Sequence, residues 1–346
     1  MARIAVVTAA PPLSEGGHLV LARVLVRALE EAGHQAGLIT TASNRFGRQA
    51  TAYLANWCTD VGETGSGDRI DQVITTRFPS FAVRHPKQVS WLNHTMREYY
   101  DLWDDFSTGL SPRGRLKESV RRRLVHAADT YCFNHHVKSL FAISSTVAGR
   151  LKRWNGVTAD VLHPPAPPRP YRCDGYGDFL FFPSRLTALK RADLAIRALA
   201  EPVARELRLV IGGDGPERVR LRALVHDLGL DSRVTFAGYV DDAALVDYLA
   251  RCRAVVFVPR DEDYGFVTIE AFESAKAVIT CHDSGGPTEL VTPATGFVVE
   301  PTAAGVAAAA ASIMADRDLA ERLGQQAKES AAGFTWANVV RKLVLP

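Results

Sequence analysis

The sequence predicts an α/β protein of two similar halves, each a parallel sheet wrapped by helices. Three observations carry this reading. Short β-branched runs alternate with amphipathic helical stretches along all 346 residues. That length suits two domains at roughly 100–200 residues each. Five prolines crowd into residues 162–170, a density that neither a helix nor a central strand tolerates, and the alternation restarts after them.

Taken in order, Arg3–Thr8 (RIAVVT) reads as a first buried strand. His18–Ala32 reads as a helix with Leu19, Ala22, Leu25, Val26 and Leu29 at helical spacing, ended by Gly33. Gln35–Thr41 is the second strand, and this β-α-β unit implies a parallel sheet with right-handed crossovers. Val73–Thr75, Lys87–Leu92 and Phe141–Ser144 read as later strands, and Thr146–Trp154 as a helix. Beyond the prolines, strands are expected at Phe179–Phe182, Arg208–Gly212, Val234–Ala237, Ala254–Pro259 and Ala277–Thr280. Helices are expected at Arg191–Leu199, Glu217–Leu228, Ala243–Ala250, Val267–Ser274 and Thr288–Val291, then at Thr302–Ala315 and Leu319–Ala332. The expected organisation is therefore an N-terminal domain over 1–163, a proline-rich linker over 164–178, a C-terminal domain over 179–332 and a final helix within 333–346. Open α/β sheets bind ligands at the carboxyl ends of their strands. Two Rossmann-like domains facing across a cleft would place the chemistry there.

Composition removes several classes of protein. With 47% hydrophobic and 23% charged residues the chain is neither disordered nor a small stapled scaffold. No apolar run approaches the roughly 18 residues of a spanning helix. The stretch MARIAVVTAAPPLSEGG reads as a strand and turn, not as a signal peptide. Five cysteines without paired spacing point away from disulfide or zinc frameworks and towards a reducing cytoplasm. Residues 1–165 hold 20 Lys and Arg against 14 Asp and Glu, leaving 21 against 24 in the rest. The basic run Arg113–Arg123 (RGRLKESVRRR) suits an anionic lipid or glycan as well as a plain solvated helix face. It lacks the interleaved aromatics of a nucleic-acid surface, so no nucleic-acid partner is expected.

Four segments carry residue types suited to chemistry. Pro11–His18 (PPLSEGGH) follows the first strand, and Gly16 and Gly17 would let backbone N–H groups reach an anion at a helix start. Pro183–Lys190 (PSRLTALK) sets Arg185 and Lys190 five residues apart, two cations for a diphosphate. Gly212–Pro216 (GGDGP), including Gly213, is a tight turn needing positive φ. Glu262–Glu270 (EDYGFVTIE) spans a strand-to-helix turn, with Glu262 in the loop, Gly265, Phe266 and Val267 at the helix start and Glu270 inside it. Carboxylates are natural acceptors for paired hydroxyls, and helix-start amides suit phosphate. No cluster has metal-ligand spacing.

Together with SGGPTELV (Ser284–Val291), these segments make the chain resemble glycosyltransferase family 4, the retaining nucleotide-sugar-dependent enzymes of the GT-B fold. The match covers nearly all of the C-terminal half. In the N-terminal half it is looser, resting on the Gly-Gly loop, Trp91–Trp103 and Phe141–Trp154. The resemblance implies that Arg185 and Lys190 hold a diphosphate and Glu270 the ribose. Glu262 and the Gly265–Val267 backbone would hold sugar hydroxyls and phosphate, and the base would lie near Gly238, Tyr239 and Val240. His94 would face the donor sugar, with His94, Glu262, Arg185 and Lys190 forming the catalytic set. The final helix, Phe334–Val344, would cross back to the N-terminal domain. The expected donor is a UDP- or GDP-sugar acting as substrate, with no cofactor or metal. The expected acceptor is a glycan, a lipid-linked sugar or a small molecule, with peripheral membrane contact open. A sugar-nucleotide epimerase, a phosphorylase or a non-catalytic nucleotide-sugar-binding module remain the alternatives.

Overall fold

The computed structural model describes residues 1–10, 17–42 and 47–346. These fall into two compact units, Met1–Pro164 with Thr335–Pro346, and Pro165–Phe334.

In unit 1 the order is β1 (Arg3–Ala10), α1 (Gly17–Glu31), β2 (Gln35–Ala42), α2 (Gln49–Trp57), β3 (Gln72–Thr75), β4 (Gln88–Leu92), α3 (Trp103–Thr108), α4 (Pro112–His135), β5 (Ser139–Ala142), α5 (Ser145–Asn155) and β6 (Asp160–Val161). The described strands form a parallel sheet in the order β2-β1-β3-β4-β5-β6. Strand β1 is buried from Ile4 onward, as befits a central strand covered on both faces. The fifth strand ends at Ala142, two residues before the sequence reading of Phe141–Ser144. Ser144 instead caps α5, its hydroxyl accepting from the Val147 N–H at 3.0 Å.

Unit 2 runs β7 (Leu180–Pro183), α6 (Ala192–Ala200), β8 (Leu209–Gly212), α7 (Arg218–Asp227), β9 (Val234–Gly238), α8 (Asp242–Arg251), β10 (Ala254–Val256), α9 (Phe266–Glu273), β11 (Val278–Cys281), α10 (Pro287–Leu290), β12 (Gly296–Val299), α11 (Ala303–Ala315) and α12 (Arg317–Ala331). Its parallel sheet is ordered β12-β11-β10-β7-β8-β9. The chain leaves β7 in one direction and returns to lay β10 on its other side. The topological switch point, where doubly wound sheets open a crevice, therefore lies between β7 and β10.

The sequence reading places a proline-rich linker at 164–178. From Pro165 onward it is part of unit 2. The Asp174 and Gly177 amides donate to the carbonyls of Ala250 and Arg251, and the Tyr176 hydroxyl donates to Ala275 O at 3.0 Å. Proline fixes the backbone angles but leaves every other amide free to pair, so an extended segment can pack as well as tether.

A last helix, α13 (Trp336–Leu343), packs in unit 1 against α1. Trp336 meets Trp91 edge-on, and the buried Gln72 amide donates to Leu343 O at 2.6 Å. No described helix is long and apolar enough to cross a membrane.

Candidate functional site

The loops leaving β7 and β10 flank the switch point of unit 2, and each brings one charged side chain to it. Lys190 closes a short 3-10 turn after β7, and Glu262 lies in the loop after β10. Their side chains meet as an ion pair at 2.5 Å. About a fifth of each side chain stays exposed, at 22% and 19%. The ammonium also sits over the Phe257 ring, 5.5 Å from its centre. Arg185, in the same loop as Lys190, is exposed and pairs with no side chain among the described residues.

Glycines let these loops close on one another. Gly213 has φ +132°, and a β-carbon there would run into the Ser184 carbonyl beside Arg185. The Ser184 amide donates to Gly212 O at 2.8 Å, so the β7 loop lies against the GGDGP turn. On the other side of the crevice, Gly285 has φ +72°, and a β-carbon would lie 2.5 Å from Glu262 O. The Glu262 amide donates to Ser284 O at 2.8 Å, and the Gly286 amide donates to Glu262 O at 2.9 Å. These bonds prolong the pairing of β10 with β11 and fix the backbone of Glu262. The glycine signals in GGDGP and SGGP thus reflect close approach between loops as well as turning.

Arg191, missed in the sequence, ties the same loops together. It occupies the left-handed region at φ +52° and ends the 3-10 turn that carries Lys190. Its guanidinium donates to the carbonyls of Val258 and Pro259 at 2.8 and 2.7 Å and pairs with Asp283 at 2.6 Å. Three loops, after β7, β10 and β11, are pinned by one side chain.

The second glutamate has a different setting. Glu270 lies in α9, whose N-cap is Gly265 at φ +80°. The residue is 6% exposed, and its carboxylate accepts from Arg169 at 2.5 Å. Arg169 also reaches Asp242 at 2.9 Å and the Tyr171 hydroxyl at 3.1 Å. Burial pushes the Glu270 carboxyl above its ordinary range, and the Arg169 guanidinium opposes that shift. Arg169 stands alone as a cation among five prolines, which is the one sequence signal that could have marked it.

The remaining expected residues lie partly in unit 2 and partly in unit 1. Phe266 and Val267 head α9 and are half-buried, and Val240 packs near Gly212. Tyr239 is largely exposed beyond β9. His94 follows β4 in unit 1, with Nδ1 2.7 Å from the Thr95 carbonyl oxygen. That oxygen can only accept, so Nδ1 carries the proton in the neutral ring. Gly17 opens α1, while Gly16 and the rest of 11–16 lie outside the described residues. Among the described residues no group of three or more His, Cys, Asp or Glu is placed to hold a metal ion.

Residues 172–330 match the family described as glycosyl transferases group 1. The chain is 34% identical over 173 residues to a D-inositol 3-phosphate glycosyltransferase of Nocardia farcinica, covering 47% of this chain and 38% of the relative. It is 32% identical over 247 residues to a GDP-mannose-dependent alpha-(1-6)-phosphatidylinositol monomannoside mannosyltransferase of Mycobacterium tuberculosis, covering 66% and 64%. The matched stretch thus spans less than two thirds of either relative's length. In three dimensions the chain is similar to Anabaena Alr3699/HepE, solved with UDP and glucose. That likeness has a TM-score of 0.72 at 17% identity over 99% of this chain and 98% of the other. The architecture is the GT-B fold of glycosyltransferases.

Proposed function

We propose that this chain, whose C-terminal half is a group 1 glycosyl transferase domain on a GT-B fold, moves a sugar from a nucleoside-diphosphate sugar to an acceptor hydroxyl with retention of configuration. The observation that carries the reading is the Lys190–Glu262 pair across the switch point, with exposed Arg185 in the same loop as Lys190. The two charges satisfy each other. A bound donor would divide them, its diphosphate drawing Lys190 and its sugar hydroxyls donating to Glu262.

As the anomeric bond breaks, negative charge grows on the leaving diphosphate and positive charge on the sugar. Arg185, Lys190 and the amides heading α9 oppose the first, and the Glu262 carboxylate offsets the second. These groups already supply cationic charge, so the reading needs no metal and no cofactor. Glu270, braced by Arg169, holds the ribose, and Tyr239 and Val240 border the base. His94 joins the catalytic set from unit 1. The donor is a UDP- or GDP-sugar. The acceptor is a glycan, a lipid-linked sugar or a small molecule, with peripheral membrane contact where it is lipid-linked. The five free cysteines suit a reducing cytoplasm.

The test is a thermal-shift screen with UDP, GDP and their sugars, followed by product analysis with excess chelator present. A nucleoside diphosphate that raises the melting temperature, and a product retaining the donor's anomeric configuration, support the reading. No response to any nucleotide, inversion, or activity restored only by a divalent ion would each count against it.

A further inference from the structure

Helix α4 is built inside out. Its buried side carries Glu118 and Asp129 beside Val125, Cys132 and Phe133. Leu116, Val120 and Leu124 meanwhile stand 69%, 50% and 65% exposed. Spacing of four aligns these three along one face, and exposed Tyr131 extends the line two turns further. Beside the stripe, a recess of about 690 Å³ opens between α2 and α4, lined by Tyr53, Leu54, Trp57, Leu124 and Tyr131 among others. That volume is in the range of small-molecule pockets, and Leu54 at its mouth is itself exposed. An amphipathic helix normally turns such a stripe to the core, so an outward stripe calls for a partner.

The charge around the stripe identifies the partner. Arg113, Arg115, Lys117 and Arg123 are exposed and pair with no carboxylate among the described residues. Both acidic residues of the helix are turned inward. Glu118 accepts from Tyr99 and Arg121, and Asp129 accepts from Tyr53 and Tyr100. The outer face is therefore apolar and cationic with no anion on it. A second copy docking on this face by two-fold symmetry would bring four like charges against four. Anionic headgroups over a hydrocarbon interior complement both features at once.

We propose that the outer face of α4 rests on an anionic lipid bilayer. Leu116, Val120, Leu124 and Tyr131 enter the boundary between headgroups and acyl chains, and Arg113, Lys117 and Arg123 reach lipid phosphates. The face lies outside the donor site, so its test reads lipid binding alone: it bears on the membrane contact named above and leaves the donor chemistry untouched. The experiment is flotation of the whole chain with vesicles of phosphatidylcholine, alone or mixed with an equal part of phosphatidylglycerol. Binding is expected to the mixed vesicles, weakening as salt is raised. Leu116→Gln with Leu124→Gln should lower the partition coefficient roughly tenfold or more. Arg113→Gln and Lys117→Gln should each lower it about fivefold. All four positions are on the surface, so the melting temperature should stay unchanged. The proposal is overturned if the chain ignores anionic vesicles at low salt or if the variants bind as well as the parent. It is equally overturned if light scattering shows a dimer that the leucine variant dissolves.

Discussion

Glu262 and Glu270 stand eight residues apart, and each meets a cation at 2.5 Å, yet the two pairs are built for different ends. Lys190–Glu262 joins two loops over a crevice and keeps about a fifth of each side chain in water. Arg169–Glu270 has side chains only 13% and 8% exposed and is braced by Asp242 and Tyr171. A solvated pair is weakly held, so a ligand can exchange for either partner at small cost. A buried pair is costly to break, because the charge left behind has no water to turn to. On the proposed function, the same residue types eight positions apart would serve as a movable clamp and a fixed strut.

The sharpest way to break this contrast is to remove one half of the strut. Arg169→Ala should destabilise unit 2 by about 3–5 kcal/mol by leaving Glu270 buried without its cation. Arg169→Met with Glu270→Gln should cost clearly less than the single change. Urea unfolding of both variants decides the matter, and an Arg169→Ala loss below about 1 kcal/mol would show the pair to be no strut.

A third carboxylate, Asp129 of unit 1, extends the contrast to burial with no paired cation among the described residues. It is held by two tyrosine hydroxyls, and burial pushes it up to about 7. The folded state therefore holds this proton more tightly than the unfolded chain does. Its contribution to stability is full in acid and is lost as pH rises through 7, by an amount on the order of a few kcal/mol. Denaturant unfolding of the parent and of Asp129→Asn at pH 5 and pH 8 measures this. The parent should lose stability relative to the variant at the higher pH, and parallel behaviour would refute the assignment.

On the clamp side the expected effect is on rate. Lys190→Ala and Arg185→Ala should each cut turnover by about 10²–10³ at saturating donor. Their melting temperatures should change little, since one residue is in a solvated pair and the other pairs with no side chain among the described residues. Turnover near that of the parent in both would remove them from the diphosphate.

The smallest expected effect separates the two glutamates by ligand. Glu270→Gln should weaken calorimetric binding of the bare nucleoside diphosphate about tenfold, the order of one charged hydrogen bond. Glu262→Gln should leave that affinity unchanged and lower turnover instead, because its hydrogen bonds strengthen as the sugar flattens. Identical behaviour of the two variants would collapse the distinction between clamp and strut.

Much of unit 2 was legible because its strands are short apolar runs and its helices carry their apolar faces inward. Arg185, Lys190, Glu262 and Glu270 could be picked out because each lies within one loop-to-helix turn. The cation that pairs with Glu270, and the side chain that ties the loops together, could not. Arg169 and Glu270 are 101 residues apart, and Arg191 acts by binding carbonyls, which carry no residue signature. In unit 1, α2 has no clear sequence signal and α4 reads only as a basic run. The buried side of α4 carries carboxylates and its outer side leucines, so its period points the wrong way. Strand β12 is hard to read because GFVV offers only three β-forming residues after a glycine.

The return of Thr335–Pro346 to unit 1 has a consequence for how the chain is made. Gln72 is 2% exposed; its amide nitrogen donates to Leu343 O and its amide oxygen accepts from Leu345 N–H. Both partners are translated only after the whole of unit 2. At about 5–20 residues per second the ribosome needs roughly 10–35 s to supply them after unit 1's own strands have emerged. During that interval the nascent N-terminal sheet carries a polar side chain still awaiting its bonds, beside the bare side of α1 that α13 will cover. The unit synthesised first is completed last.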